Sequence, residues 1–142
     1  MIYGQDRNQL RNFYFQSWDK FTRQQILEPM ESVVVALIKQ HPEYHDFFNN
    51  MEQNQDKDFS PEMGQTNPFL HLGMHISIQE QIGTQRPPEI ASLYQSLCQK
   101  TGDAHEAEHQ MMDCLGEMLW TAQRNNQQPD ETTYLECIKK LL

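Results

Sequence analysis

All six histidines of the chain occur in pairs whose members are four residues apart. The pairs are His41 and His45 in HPEYH, His71 and His75 in NPFLHLGMH, and His105 and His109 in HEAEH. Random placement would give roughly 0.2 such pairs. Because residues four apart share one face of an α-helix, each pair can direct its ring nitrogens towards one point. The spacing therefore predicts histidine sites on helices, and metal coordination is the chemistry it favours.

Two of the pairs lie beside apolar residues at helical spacing. His71 and His75 continue into a stripe with Ile78 and Ile82, and the pair in HEAEH borders an apolar face of its own helix. Two facing helices of a bundle can supply four nitrogen ligands, and a carboxylate can complete or orient the shell. The predicted metal ligands are His71, His75, His105 and His109, with Glu31, His45 and Asp113 as further candidates.

The ligand types favour zinc, iron or manganese, because nitrogen and oxygen donors suit these ions and the chain has no C-x-x-C pair. The methionines near the histidines raise copper or haem as options, although methionines at helical spacing usually fill cores. HEAEH also fits the H-E-x-x-H template of metalloproteases. Glu106, however, turns about 100° away from His105, and no third downstream ligand is evident. No catalytic residue follows from the pattern.

A second hypothesis explains the same histidines without a metal. Buried imidazoles can be satisfied by carbonyl and carboxylate groups, since each polar atom left without a partner costs about 1–3 kcal/mol. The chain would then be a non-enzymatic interaction module with a buried hydrogen-bond network.

Helix start and stop signals divide the chain into helical segments. Asp6 with Gln9, and Asp103 with Glu106, have the spacing of capping boxes. Proline at a first helical position predicts further helices from residues 29, 68 and 87, with a short continuation from 42 through 48, and Pro129 and Asp130 precede a last short helix. Residues 49–66 are polar and aperiodic, which predicts a long surface connection. The sequence thus predicts a single all-α domain over residues 1–142, a bundle of about four main helices plus short accessory helices.

The composition of the chain limits the classes of partner that we expect. The formal net charge of −9 disfavours nucleic acid and anionic lipid, and no apolar stretch is long enough to span a bilayer. We expect a cytoplasmic protein whose partner is a small-molecule substrate or another protein, with no prediction of oligomeric state. Cys98, Cys114 and Cys137 are odd in number and far apart, so we expect reduced thiols in the core.

Several segments together resemble a known family. HPEYH, NPFLHLGMH, QRPP and CLGEMLWTAQRN, followed by PD and YLECIKK, are similar to the bacterial family called domain of unknown function 1841, over nearly the whole chain. The resemblance implies a bacterial helical protein in which the histidine motifs are a family feature, and it implies no activity. Any likeness to hemerythrin-type bundles is an analogy of fold alone.

Overall fold

The described part of the polypeptide folds into α-helices. The computed structural model describes residues 2–57, 59 and 67–142, with the backbone alone over residues 2–6. Within these ranges there are eight α-helices, one 3₁₀ helix and no strand, so the predicted all-α class is confirmed. The helices are α1 (Ile2–Thr22), α2 (Pro29–Lys39), α3 (His45–Asn49), α4 (Met51–Asn54), α5 (Pro68–Thr84), α6 (Ile90–Thr101), α7 (Ala104–Arg124) and α8 (Glu131–Leu141), and the 3₁₀ helix is Pro42–Tyr44.

The chain forms two compact units, Met1–Gly73 and Met74–Leu142. The boundary between them falls within α5. Each unit contains its own cluster of buried hydrophobic side chains. The single domain predicted over residues 1–142 stays a prediction.

Aromatic rings dominate the interior of the first unit. α1 packs against α2 and α3 and buries Tyr14, Phe15 and Trp18. The ring centroid of Phe15 is 5.3 Å from that of Phe48 on α3 and 5.7 Å from that of Phe69 on α5. Such ring pairs add about 0.5–1.5 kcal/mol each beyond the area they bury. This core therefore holds the first turn of α5 against α1.

The segment after α3 is partly helical, which corrects one prediction. The sequence predicts residues 49–66 as an aperiodic surface connection, but Met51–Asn54 form a short helix, α4. The Arg11 guanidinium of α1 donates hydrogen bonds of 2.9 Å to two backbone carbonyl oxygens just after α4. Local polarity could not reveal this anchoring, because it depends on a residue more than 40 positions away. Within the predicted connection, residues 58 and 60–66 lie outside the described residues.

The second unit has an aliphatic core. α7 packs against α6 and α8, and α6 also packs against α8. Each helix contributes a fully buried side chain: Ile78 from α5, Leu97 from α6, Met111 from α7 and Ile138 from α8. Each such side chain contributes about 1.5–3 kcal/mol relative to an exposed position. This core fixes the faces of α5 and α7 that carry histidines.

Local signals account for most helix ends. The Asp103 carboxylate caps α7 by accepting from the His105 backbone N–H at 3.0 Å, and Asp130 caps α8 in the same way. Gly102 ends α6 with φ of 74°, a left-handed conformation that glycine adopts without strain. Two predicted helix starts are wrong: α1 begins at Ile2 rather than near Asp6, and α6 begins at Ile90 rather than at Pro87, because residues 87–89 form a bend and a turn.

A disulfide joins Cys114 of α7 to Cys137 of α8. The prediction that all three cysteines are reduced is therefore wrong for these two. The packing of α8 along α7 brings the two residues together although they are 23 positions apart, and sequence spacing alone does not show which helices are neighbours. Cys98 keeps a thiol and is half-buried beside the core.

Candidate metal centre

Three imidazole rings from two helices meet in the second unit. His75 lies on α5, and His105 and His109 lie on α7. Each offers a ring nitrogen, and these nitrogens lie within 4.8 Å of one another. The ring centroids are between 4.2 and 5.0 Å apart. Three of the predicted ligands therefore form one cluster.

The local sequence explains how α7 presents its two rings. Asp103 fixes the first turn of α7, where His105 is the second residue, and His109 follows one turn later on the same face. Ala107 and Met111 are buried at 0% exposure and hold the neighbouring stripe of α7 against the core. The two histidines consequently sit at the edge of the core, half-buried.

Glu108 supports the ring of His75. Its Oε1 accepts a hydrogen bond of 3.0 Å from His75 Nδ1–H and one of 3.2 Å from the Gln79 side-chain amide. Both His75 and Glu108 are buried, at 0% and 7% exposure. Glu108 is not among the residues predicted from the sequence. The available signal was the spacing of His75 and Gln79, which places two hydrogen-bond donors on one face of α5.

The electrostatic environment favours neutral imidazole at His105. Burial lowers the pKa of His105, and the nearby rings of His109 and His75 lower it further, because a charge on either would repel a second one. Neutral rings keep the lone pairs that metal coordination requires.

The cluster of three histidines is compatible with two roles, metal coordination and a buried hydrogen-bond network. Three nitrogen ligands about 2.05 Å from a tetrahedral ion lie about 3.3 Å apart, so small rotations of these rings would close the shell. A histidine that donates one N–H to a carboxylate has the arrangement usual for metal ligands, in which the other nitrogen binds the ion. The same contacts are also compatible with a buried hydrogen-bond network.

His71 has a partner in the first unit. Its Nε2 lies 3.0 Å from Nε2 of His41, which follows α2. His41 is 2% exposed and donates its Nδ1–H to the carbonyl oxygen of Leu37 at 2.7 Å. This pair did not follow from the sequence, because Pro42 made the helical phase around His41 uncertain.

His45 packs within the first unit. Its Nε2–H donates to the carbonyl oxygen of Ile38 at 3.0 Å, and its ring centroid is 4.9 Å from that of Trp18. These contacts connect α3 to α2 and α1. They describe a packing role, and they give no support to His45 as a ligand.

The two carboxylates proposed from the sequence have different surroundings. Glu31 lies in the first turn of α2. One of its carboxylate oxygens accepts a hydrogen bond from the Glu28 backbone N–H at 2.8 Å, and the other lies 2.8 Å from Lys20 Nζ. These bonds, first that to Lys20, lower the pKa of Glu31. Asp113 is exposed on α7. We leave both out of the metal set proposed below.

Comparison with known proteins agrees with the motif pattern. The family model described as domain of unknown function (DUF1841) matches residues 6–140. The chain belongs to this family. No curated protein and no solved structure matches it. The DUF1841 assignment therefore implies no activity, and the histidine geometry is the feature that indicates a function.

One further property of this DUF1841 chain concerns membranes. None of the helices in the described ranges combines the length and hydropathy that a membrane span needs.

Proposed function

We propose that this DUF1841 protein binds one divalent transition-metal ion through His75, His105 and His109. The observation that carries the proposal is the convergence of these three rings within the second unit, with ligand nitrogens within 4.8 Å of one another. Two of the ligands come from one helix at a spacing of four, so folding of α7 alone brings them together. Packing of α5 against this face then adds the third.

Glu108 has a defined part in this proposal. Its hydrogen bond keeps the proton of His75 on Nδ1 and so presents Nε2 as the ligand atom. The buried negative charge also makes the ring a stronger donor and offsets part of the charge of the ion. Gln79 holds the carboxylate on its other side, which fixes its direction.

Imidazole ligands with a carboxylate behind them suit zinc, iron or manganese. A small-molecule substrate or a protein partner stays a prediction from the sequence. We assign no reaction.

The second candidate function is an interaction module whose histidines only build the core. The observation in its favour is that the Glu108 carboxylate accepts hydrogen bonds from both His75 and Gln79. It thereby satisfies two N–H donors without a metal ion. In that case the cluster would contribute stability alone.

Elemental analysis of tag-free protein separates the two candidates. After reconstitution with zinc, iron(II) or manganese(II) and removal of excess ion, we expect about one ion per chain. His105→Gln should abolish retention, because it removes one of three ligands. His45→Gln is the matched control, since that ring bonds to a backbone carbonyl, and it should retain the ion. No retained ion in the wild-type chain would favour the interaction module.

Charge and the disulfide bear on partners and location. We propose that the protein does not bind nucleic acid, because its net charge is −9. A cytoplasmic location and a bacterial origin stay predictions. The Cys114–Cys137 disulfide weighs against the cytoplasm, since disulfides persist mainly in oxidising compartments.

A further inference from the structure

We propose that a cleft in the first unit, between α1 and the segment where α3 meets α4, binds a small, uncharged, hydroxyl-rich molecule such as a mono- or disaccharide. The cleft has a volume of about 570 Å³. Small-molecule sites usually have volumes of about 300–1,000 Å³. The inference uses no histidine and does not rest on the metal-binding function proposed above.

Two segments of the first unit form the walls of the cleft. One wall consists of residues at spacings of three and four along α1, from Phe15 to Arg23, which therefore share a face of that helix. The other wall is residues 48–53, where α3 ends and α4 begins. The Trp18 indole Nε1–H donates a hydrogen bond of 2.8 Å to Asn49 Oδ1. This bond connects the two walls directly.

Most of the described residues that line the cleft are polar and exposed. Four of them have carboxamide side chains: Gln16, Asn49, Asn50 and Gln53. A carboxamide donates through its NH₂ group and accepts through its oxygen, and a hydroxyl group also donates and accepts. An ammonium group only donates and a carboxylate only accepts, so either would use half of what each carboxamide offers. The walls therefore favour a ligand with several hydroxyl groups.

The charge of the cleft disfavours an anionic ligand. Among the described lining residues, Asp19, Arg23 and Glu52 are charged, which gives a net negative lining. Arg23 Nε lies 3.2 Å from Asp19 Oδ1, so the one guanidinium is already paired with a carboxylate. A phosphate or carboxylate ligand would be repelled by the charge that remains on Glu52. Uncharged hydroxyl groups can accept from the guanidinium and donate to both carboxylates.

The floor of the cleft is aromatic but presents little apolar surface. Phe15, Trp18 and Phe48 are only 2%, 5% and 3% exposed. Because the hydrophobic contribution scales with the apolar area removed from water, a ligand that binds mainly through a large apolar body would gain little here. The C–H groups of a sugar ring need only a small apolar patch. Hydrogen bonding therefore dominates recognition at this cleft.

The two tryptophans of the chain allow a direct test by nuclear magnetic resonance. Trp18 lines the cleft, whereas Trp120 on α7 does not. D-glucose, N-acetyl-D-glucosamine and maltose are each titrated into the ¹⁵N-labelled, tag-free full chain, and Trp120→Phe assigns the two indole N–H signals. We expect at least one sugar to shift the Trp18 signal saturably and to leave the Trp120 signal unchanged. No shift with any of the three sugars, or equal shifts of both signals, would overturn the proposal. A Trp18 shift only with glucose 6-phosphate or only with spermidine would overturn the uncharged ligand class.

Matched glutamine variants then test the walls of the cleft. Gln16→Ala and Gln53→Ala should each weaken binding of the responding sugar by about 2- to 10-fold, which corresponds to the loss of one net hydrogen bond. Gln40→Ala is the control, because Gln40 is exposed in the same unit and does not line the cleft. All three glutamines are exposed, so we expect each variant to keep the fold. Unchanged affinity in both cleft variants would overturn the proposal.

Discussion

Glu108 is the residue that most sharply separates a metal site from a packing network. Both hypotheses include the hydrogen bond between Glu108 and His75, but they give different roles to the negative charge of Glu108. A metal site uses the negative charge to strengthen the ligand and to balance the ion. A network needs only an acceptor, and a glutamine oxygen supplies one.

We predict that Glu108→Gln lowers metal affinity by about 10- to 100-fold, as loss of a carboxylate behind a ligating histidine usually does. Competition with a chelator of known affinity measures the effect. Glu106→Gln is the control, because Glu106 is exposed on the same helix and bonds only to Gln110 among the contacts described for it. Equal affinities of the two variants would contradict the role given to Glu108.

Glu31 gives a pH prediction that is independent of metal. Its pKa is lowered from the ordinary value of 4.5, chiefly by the hydrogen bond from Lys20, so the folded state favours the carboxylate. The stabilisation is complete above the unfolded pKa and disappears as pH falls through the lower, folded pKa. We expect Glu31→Gln to destabilise the protein at pH 7 and to have a smaller effect at pH 3.

Urea unfolding of both proteins at the two pH values measures this difference, in the presence of a chelator. Glu52→Gln, at an exposed position of α4, serves as the control. If the effect of Glu31→Gln were the same at pH 3 as at pH 7, the carboxylate would not be the source of the stabilisation.

At the scale of elements, the first turn of α7 contributes both to the stability of the fold and to the position of a proposed metal ligand. The Asp103 cap holds the first turn, which contains His105. We predict that Asp103→Ala lowers the free energy of unfolding by about 1 kcal/mol, the usual value for a lost N-cap, and also weakens metal binding. The matched variant is Asp130→Ala, which removes the cap of α8. It should cost similar stability, and metal affinity should be unchanged. Equal affinities in both variants would show that the first turn of α7 does not position a ligand.

The disulfide between α7 and α8 gives a prediction about thiols. The unfolded, unreduced chain should show one reactive thiol, from Cys98, and three after reduction. Removal of the cross-link by Cys137→Ala should lower the free energy of unfolding by about 3 kcal/mol, the chain-entropy value for a closed loop of this length. Thiol titration and chemical unfolding measure the two quantities. Three reactive thiols before reduction would contradict the disulfide.

For the molecule as a whole, the sequence predicted what depends on neighbours along the chain. Pro29 and Asp103 mark helix starts because capping is local, and paired histidines share a face because helical spacing is regular. Of the contacts between helices, it predicted the meeting of His75 with His105 and His109 but not the contacts that surround them. To predict the hydrogen bond from His75 to Glu108, or the disulfide, one must know which helix faces meet.

The central claim is that His75, His105 and His109 hold one ion, and crystals of the zinc-reconstituted, tag-free protein test it most directly. An anomalous difference map from data collected at the zinc absorption edge locates the ion without assumptions about its ligands. We predict a peak about 2.0–2.1 Å from one ring nitrogen of each histidine, with Glu108 still bonded to Nδ1 of His75. An empty map at this position, with the three rings and the Glu108 hydrogen bond unchanged, would contradict the claim.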